Sequence, residues 1–94
     1  MDADFRSRCH GVLLGQAVGD ALGTTVEFAS PEAIAERRSG DGWPQRIVGG
    51  GPFRVALGQV TDDTELALAL ARSLAKHGRY LDDEVAAAYR AWFE

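Results

Sequence analysis

The run Thr61-Asp62-Asp63-Thr64-Glu65 gathers three carboxylates and two hydroxyls into five consecutive residues, directly after Gly58-Gln59-Val60. All-oxygen donor sets of this kind suit hard divalent cations such as Mg²⁺ and Mn²⁺. A glycine-rich stretch gives way here to a helical pattern, so the backbone at a helix entrance would hold the donors still. The same residues have a plainer use. Asp62 and Glu65 stand three apart, as the two ends of a capping box do, and acidic side chains are favoured in a first helical turn. Spacing alone leaves both uses open. Asp82-Asp83-Glu84 reads as an ordinary acidic helix start, because it has no flanking hydroxyl and follows a short turn. The D-x-D-x-D-G register of an EF-hand loop is absent.

A second constellation is Gly15-Gln16-Ala17-Val18-Gly19-Asp20-Ala21-Leu22-Gly23, followed by Val26-Glu27-Phe28. Asp20 is followed by Ala21 and Leu22, and Glu27 lies between Val26 and Phe28. A carboxylate drawn out of water by such neighbours needs a cation, a hydrogen bond or a raised pKa. For Asp20 the expected partner is a backbone hydrogen bond, which makes it a shaping residue.

The elements that must position these residues are helical. Apolar residues Phe5, Cys9, Val12, Leu13, Ala17, Ala21 and Leu22 recur at three- and four-residue steps, predicting an amphipathic helix over about 4–22. Glycines 11, 15, 19 and 23 interrupt it on one drifting stripe, where another backbone could pack closely or a site could be lined. Ser30-Pro31 opens a second, short helix as N-cap and first helical residue, and Ser39-Gly40 closes it. Arg37 and Arg38 are expected to be solvated at its end. Residues 40–60 are rich in glycine, with Pro44 and Pro52, and predict a long loop ordered by Trp43, Ile47, Val48, Phe53, Val55 and Leu57. Gly49-Gly50-Gly51 lacks the spacing and the preceding strand of a phosphate-binding P-loop. A third helix is predicted over 61–77, with Leu66, Leu70 and Leu74 on one face and Gly78 as its stop. A fourth follows Leu81 with Asp82 as N-cap and Val85, Ala88, Tyr89, Trp92 and Phe93 on its apolar face. The fold class is all-α, about four helices with one long glycine-rich loop.

The two constellations together carry a resemblance. Gly-x-x-x-Gly-Asp-Ala-Leu-Gly with a following Val-Glu-Phe, and then Thr-Asp-Asp-Thr-Glu-Leu-Ala-Leu-Ala, resembles the ADP-ribosylglycohydrolase family from about Phe5 to Phe93. The resemblance implies a larger all-α domain holding two Mg²⁺ or Mn²⁺ ions, which hydrolyses the glycosidic bond between ADP-ribose and a modified acceptor. It places Thr61, Asp62 and Asp63 on metal ligands and Glu27 on a catalytic glutamate near metals and scissile bond, as base, ligand or gate. Asp20 falls on the motif aspartate, a structural residue near the site. Phe28 and the glycine-rich loop would help wall the cleft. The family completes its metal site with an Asp-x-Asp-Thr-type cluster, and downstream of Glu65 this sequence has only Asp82, Asp83, Glu84 and Glu94 as acids. The expectation is therefore that residues 1–94 are the N-terminal fragment of one such domain, inactive alone, whose partners are the missing C-terminal part and an ADP-ribosylated protein or other conjugate. Trp92 and Phe93 would be core of that missing part.

Two other classes compete. A non-catalytic helical module could keep this fold and bind a partner through Trp92 and Phe93. A helical nucleotide pyrophosphohydrolase would repeat acids along a helix in E-x-x-E style, which residues 66–77 do not.

Composition narrows the field further. A chain of 94 residues allows one domain at most. A net charge of −4 and a pI near 5.1 argue against general nucleic-acid binding. The single cysteine, Cys9, rules out a disulfide framework and a cysteine-based zinc cluster, and is expected to be a small core residue. Met1-Asp2-Ala3-Asp4 is acidic where a signal peptide is basic, and no apolar run reaches the ~20 residues of a membrane span. A cytoplasmic location and no membrane partner are the corresponding expectations. His10 and His77 are too far apart in sequence to form a local pair, and His77 suits the last turn of a helix.

Overall fold

The computed structural model describes residues 2–37 and 41–94. Among them are four α-helices and no strand: α1 (Ala3–Gly23), α2 (Pro31–Glu36), α3 (Asp62–His77) and α4 (Asp82–Phe93), with a 3₁₀ turn over Thr24–Val26. The all-α expectation holds, and the boundaries of α1, α3 and α4 lie within a residue or two of the predicted ones, whereas α2 ends at Glu36, earlier than expected. No helix of the described residues is long and apolar enough to cross a membrane. The chain divides into two compact units, one ending at Thr61 and one over Asp62–Glu94.

In the first unit, Asp2 caps α1 by accepting from the Phe5 backbone N–H at 2.7 Å. The helix then runs without a break through Gly11, Gly15 and Gly19. A Cβ on any of them would meet nothing within 4 Å, so among the described residues nothing packs on the glycine stripe. The amphipathic reading of α1 also needs correction. Phe5, Val12, Leu13, Leu14 and Val18 are exposed, Cys9 and Ala17 are half-buried, and only Ala21 is buried. The reason is local: the packed material of this unit gathers at the C-terminal end of α1.

There the Thr24 hydroxyl donates to the Ala21 carbonyl at 3.1 Å, and Thr24 is buried. The Trp43 indole N–H donates to the Leu22 carbonyl at 3.0 Å. Both bonds satisfy carbonyls that a helix end leaves without intrahelical partners. Ser30 caps α2 through the Ala33 N–H, with Pro31 in the first turn as its sequence requires. The helix ends at Glu36 with Arg37 as its C-cap, before the Ser39-Gly40 pair expected to close it; Arg38, Ser39 and Gly40 lie outside the described residues. Arg37 is not simply solvated: it is half-buried, pairs with Asp41 at 2.9 Å and lies 5.6 Å from the centre of the Trp43 ring.

Residues 41–60 form an ordered loop, but not all of the expected anchors are covered: Val55 is buried and Trp43, Ile47 and Val48 are half-buried, whereas Phe53 and Leu57 are exposed. Gly50 and Val55 exchange two backbone hydrogen bonds, at 2.8 and 3.2 Å, in an isolated antiparallel bridge, and Val55 is buried. Gly49, Gly50 and Gly51 all have left-handed backbone angles. Gly51 is also pressed on the turn after α1: a Cβ there would overlap the Thr24 carbonyl oxygen and lie 2.8 Å from the Thr25 Cα. Only glycine meets both demands.

In the second unit, α3 and α4 pack on each other, joined by residues 78–81. Gly78 stops α3 with φ 73 and donates its N–H to the Leu74 carbonyl at 2.8 Å. Val85, Thr64 and Ser73 are buried, while Leu66 and Leu70 are half-buried and Leu74 is exposed. The N-cap of α4 is Leu81, with extended backbone angles, and Asp82 is already helical. Asp82, Asp83 and Glu84 therefore act in the first turn through the helix dipole rather than as a cap. His77 sits in the last turn of α3, 3.4 Å from the Glu84 carboxylate.

Candidate functional site

Thr61 closes the first unit, and Asp62 and Asp63 open α3. The backbone enters the helix at the donor run, so these residues are carried by regular structure on their C-terminal side. Thr61 itself is anchored within the first unit by Asp20. Its carboxylate accepts the Thr61 backbone N–H at 2.7 Å on one oxygen and the Thr61 hydroxyl at 2.6 Å on the other. Both residues are half-buried. The backbone bond expected of Asp20 is thus present, and it comes from a residue 41 positions away. Asp20 reaches it because the last turns of α1 lie in the packed part of the unit.

Asp62 and Asp63 are exposed. Glu65 does not reach back as a capping-box partner would: its carboxylate accepts the Trp92 indole N–H at 2.6 Å, tying the first turn of α3 to the end of α4. Trp92 is 41% exposed and Phe93 83% exposed.

Glu27 stands in the first unit, half-buried, where the 3₁₀ turn ends. The Ala29 N–H donates to the Val26 carbonyl at 2.9 Å, closing a tight turn with Glu27 and Phe28 at its centre. Glu27 has φ −58 and ψ 133, and Phe28 has φ 64. That pattern is a type II turn with phenylalanine where glycine is the usual residue. A bulky side chain in the left-handed region is a strained choice, and such strain concentrates at functional sites. The Phe28 ring is held by Phe53 of the glycine-rich loop, edge-on at 6.0 Å between centres. Loop and turn are therefore one local assembly: Gly51 against Thr24 and Thr25, Trp43 against Leu22, and Phe53 against Phe28.

The structure brings Asp20 and Thr61 together, and it places Glu27 on a strained turn of the same unit. Sequence reading missed the cap that Trp43 gives α1, the contact that demands Gly51, and the strain at Phe28. The run of glycines was the one available signal for the second. Nothing in residue type announces the other two.

The donor chemistry at Thr61, Asp62 and Asp63 fits a hard divalent cation: oxygen atoms only, with two exposed carboxylates and a hydroxyl whose proton is directed at Asp20. Among the described residues no three His, Cys, Asp or Glu side chains lie close enough together to hold a metal ion. The fit is thus to part of a coordination sphere.

Comparison with known proteins gives the setting. The chain is 44% identical over 87 residues to an ADP-ribosyl-(dinitrogen reductase) glycohydrolase of Rhodospirillum rubrum, which covers 93% of this chain and 29% of that protein. It is 42% identical over 86 residues to an ADP-ribosylarginine hydrolase of Pseudomonas putida, covering 92% of this chain and 21% of the relative. A hydrolase of the same description from Serratia proteamaculans is 40% identical over 78 residues, 19% of its length. The chain thus spans less than a third of the length of each of these curated relatives. The model of the ADP-ribosylglycohydrolase family matches residues 1–94, and the chain belongs to that family.

Proposed function

We propose that these residues form the amino-terminal part of the catalytic domain of a metal-dependent hydrolase that releases ADP-ribose from a modified acceptor. The observation that carries this reading is the oxygen-donor run at residues 61–65, whose first residue Thr61 is held by Asp20, in a chain whose whole length matches the family. Thr61, Asp62 and Asp63 would hold Mg²⁺ or Mn²⁺, two ions in the complete site, with the remaining ligands coming from outside residues 1–94. When bound, such ions supply Lewis-acid polarisation and a water of lowered pKa.

The chain's own residues then have defined tasks. Glu27, on its strained turn, would orient the attacking water and take its proton. Its negative charge would also favour the oxocarbenium character that develops at the anomeric carbon. The water oxygen bonds to that carbon, the bond to the acceptor atom breaks, and the departing acceptor atom ends up protonated. The products are free ADP-ribose and an unmodified acceptor. Two of the relatives are named as ADP-ribosylarginine hydrolases, which makes the N-glycosidic arginine linkage the first substrate to test. The exposed apolar side chains of α1, Phe5, Val12, Leu14 and Val18, would be covered by the rest of the domain.

The test is ADP-ribose release by the whole protein from an ADP-ribosylarginine substrate, with and without Mg²⁺ or Mn²⁺. Asp62→Ala and Asp63→Ala should each abolish release, and chelation should do the same. Full activity in the double variant would overturn the ligand assignment. No release by the whole protein, with or without Mg²⁺ or Mn²⁺, would leave the helical binding module as the better reading.

A further inference from the structure

Thr61 makes two hydrogen bonds to a single side chain 41 positions away in sequence. A neutral hydroxyl that binds a cation must turn its proton away, because it has one proton and two lone pairs and only the lone pairs attract the ion. In solution the hydroxyl rotates freely and often presents the wrong end. Here an ionised carboxylate, which can only accept, takes the proton at 2.6 Å. The second oxygen of the same carboxylate holds the Thr61 N–H at 2.7 Å, so the backbone that carries the hydroxyl is fixed by the same group.

The geometry points to Asp20 as a positioning residue for cation binding: it accepts the Thr61 hydroxyl proton so that the oxygen offers only lone pairs to a divalent ion. This inference rests on the reading of Thr61 as a metal ligand. It adds a role for Asp20 beyond shaping the fold. Partners of this kind, one bond removed from a metal, alter affinity by roughly 10- to 100-fold when changed. Asparagine is the informative replacement. Its volume is the same, but it has one accepting oxygen where Asp20 has two. If that oxygen keeps the Thr61 N–H, the amide nitrogen faces the hydroxyl as a donor. The hydroxyl proton is then driven outward, toward the ion.

The experiment is a double-mutant cycle on the metal-free whole protein, with Mn²⁺ affinity read from the free-ion electron paramagnetic resonance signal and folding read from thermal unfolding. Asp20→Asn should weaken Mn²⁺ binding by about ten-fold or more. Thr61→Val should weaken it too. In the Thr61→Val background, Asp20→Asn should add almost nothing, because the group through which it acts is gone. Thr61→Ser, which keeps both donors, should bind within a few-fold of the parent. Undiminished affinity in Thr61→Val would refute the ligand reading itself. Loss in Thr61→Val with none in Asp20→Asn would refute the positioning role alone, as would full additivity of the two changes. If Asp20→Asn does not fold, a crystal structure of the Mg²⁺-loaded parent decides the matter. A Thr61 oxygen that binds the ion while remaining in hydrogen-bond contact with Asp20 is expected, and a hydroxyl that has left Asp20 overturns the inference.

Discussion

Gly51 offers the sharpest test of how the loop is held on the segment that carries Glu27. Replacing it with alanine makes two separable demands. The first is backbone strain: with φ 78, a residue bearing a Cβ sits in the left-handed region at a cost of about 1–2 kcal/mol. The second is overlap. The new Cβ would collide with the Thr24 carbonyl oxygen and lie 2.8 Å from the Thr25 Cα and 2.9 Å from the Thr24 carbonyl carbon. These are backbone atoms, so no side-chain rotation relieves them, and overpacking of this kind costs about 1–3 kcal/mol. The sum is a loss of about 2–5 kcal/mol. Gly50 supplies the control. Its φ of 86 imposes a similar strain, but a Cβ there meets nothing within 4 Å. Gly50→Ala should therefore lose only about 1–2 kcal/mol. Urea unfolding of both variants, followed by circular dichroism, measures the difference. Equal losses would refute the claim that close contact with Thr24 and Thr25, rather than backbone conformation alone, requires glycine at position 51.

Two further outcomes follow from the same assembly. Trp43→Phe removes the indole N–H that satisfies the Leu22 carbonyl and should lower stability by about 1 kcal/mol, whereas an unchanged unfolding midpoint would show that the carbonyl finds water instead. At position 28 the usual order of residues should invert. Phe28→Gly and Phe28→Ala both lose the contact with Phe53, but glycine relieves the left-handed strain, so it should be the more stable of the two by about 1 kcal/mol in the same unfolding assay.

Much of the helical framework was legible in local signals. Ser30-Pro31, Gly78 and the acidic first turn of α3 each act through the backbone a few residues away, so residue type alone predicts them. Asp82 shows how narrow that margin is: the cap lies one residue earlier, at Leu81, because the extended backbone angles end there. The apolar spacing of α1 was a true mark of a helix and a poor guide to burial. Periodicity says which residues share a face, and it does not say whether anything covers that face. Glu65 makes the same point for polar groups. Its spacing from Asp62 suggested a capping pair, yet its carboxylate takes the Trp92 indole N–H, a partner 27 residues on.

The sequence by itself determined the helical class, the donor run at residues 61–63 and the two motifs that resemble the family, because these depend on residue type and on spacing along the chain. It also suggested that Asp20 would bond to backbone, since a carboxylate among apolar neighbours must find a donor. Only the tertiary structure decided that this donor is Thr61, and that one carboxylate holds both its amide and its hydroxyl. Only the tertiary structure put Phe28 in the left-handed turn beside Glu27 and pressed Gly51 onto the end of α1. The physical reason is that a hydrogen bond or a collision acts over a few ångströms, and which distant residues come within that reach is set by packing rather than by neighbours in the chain.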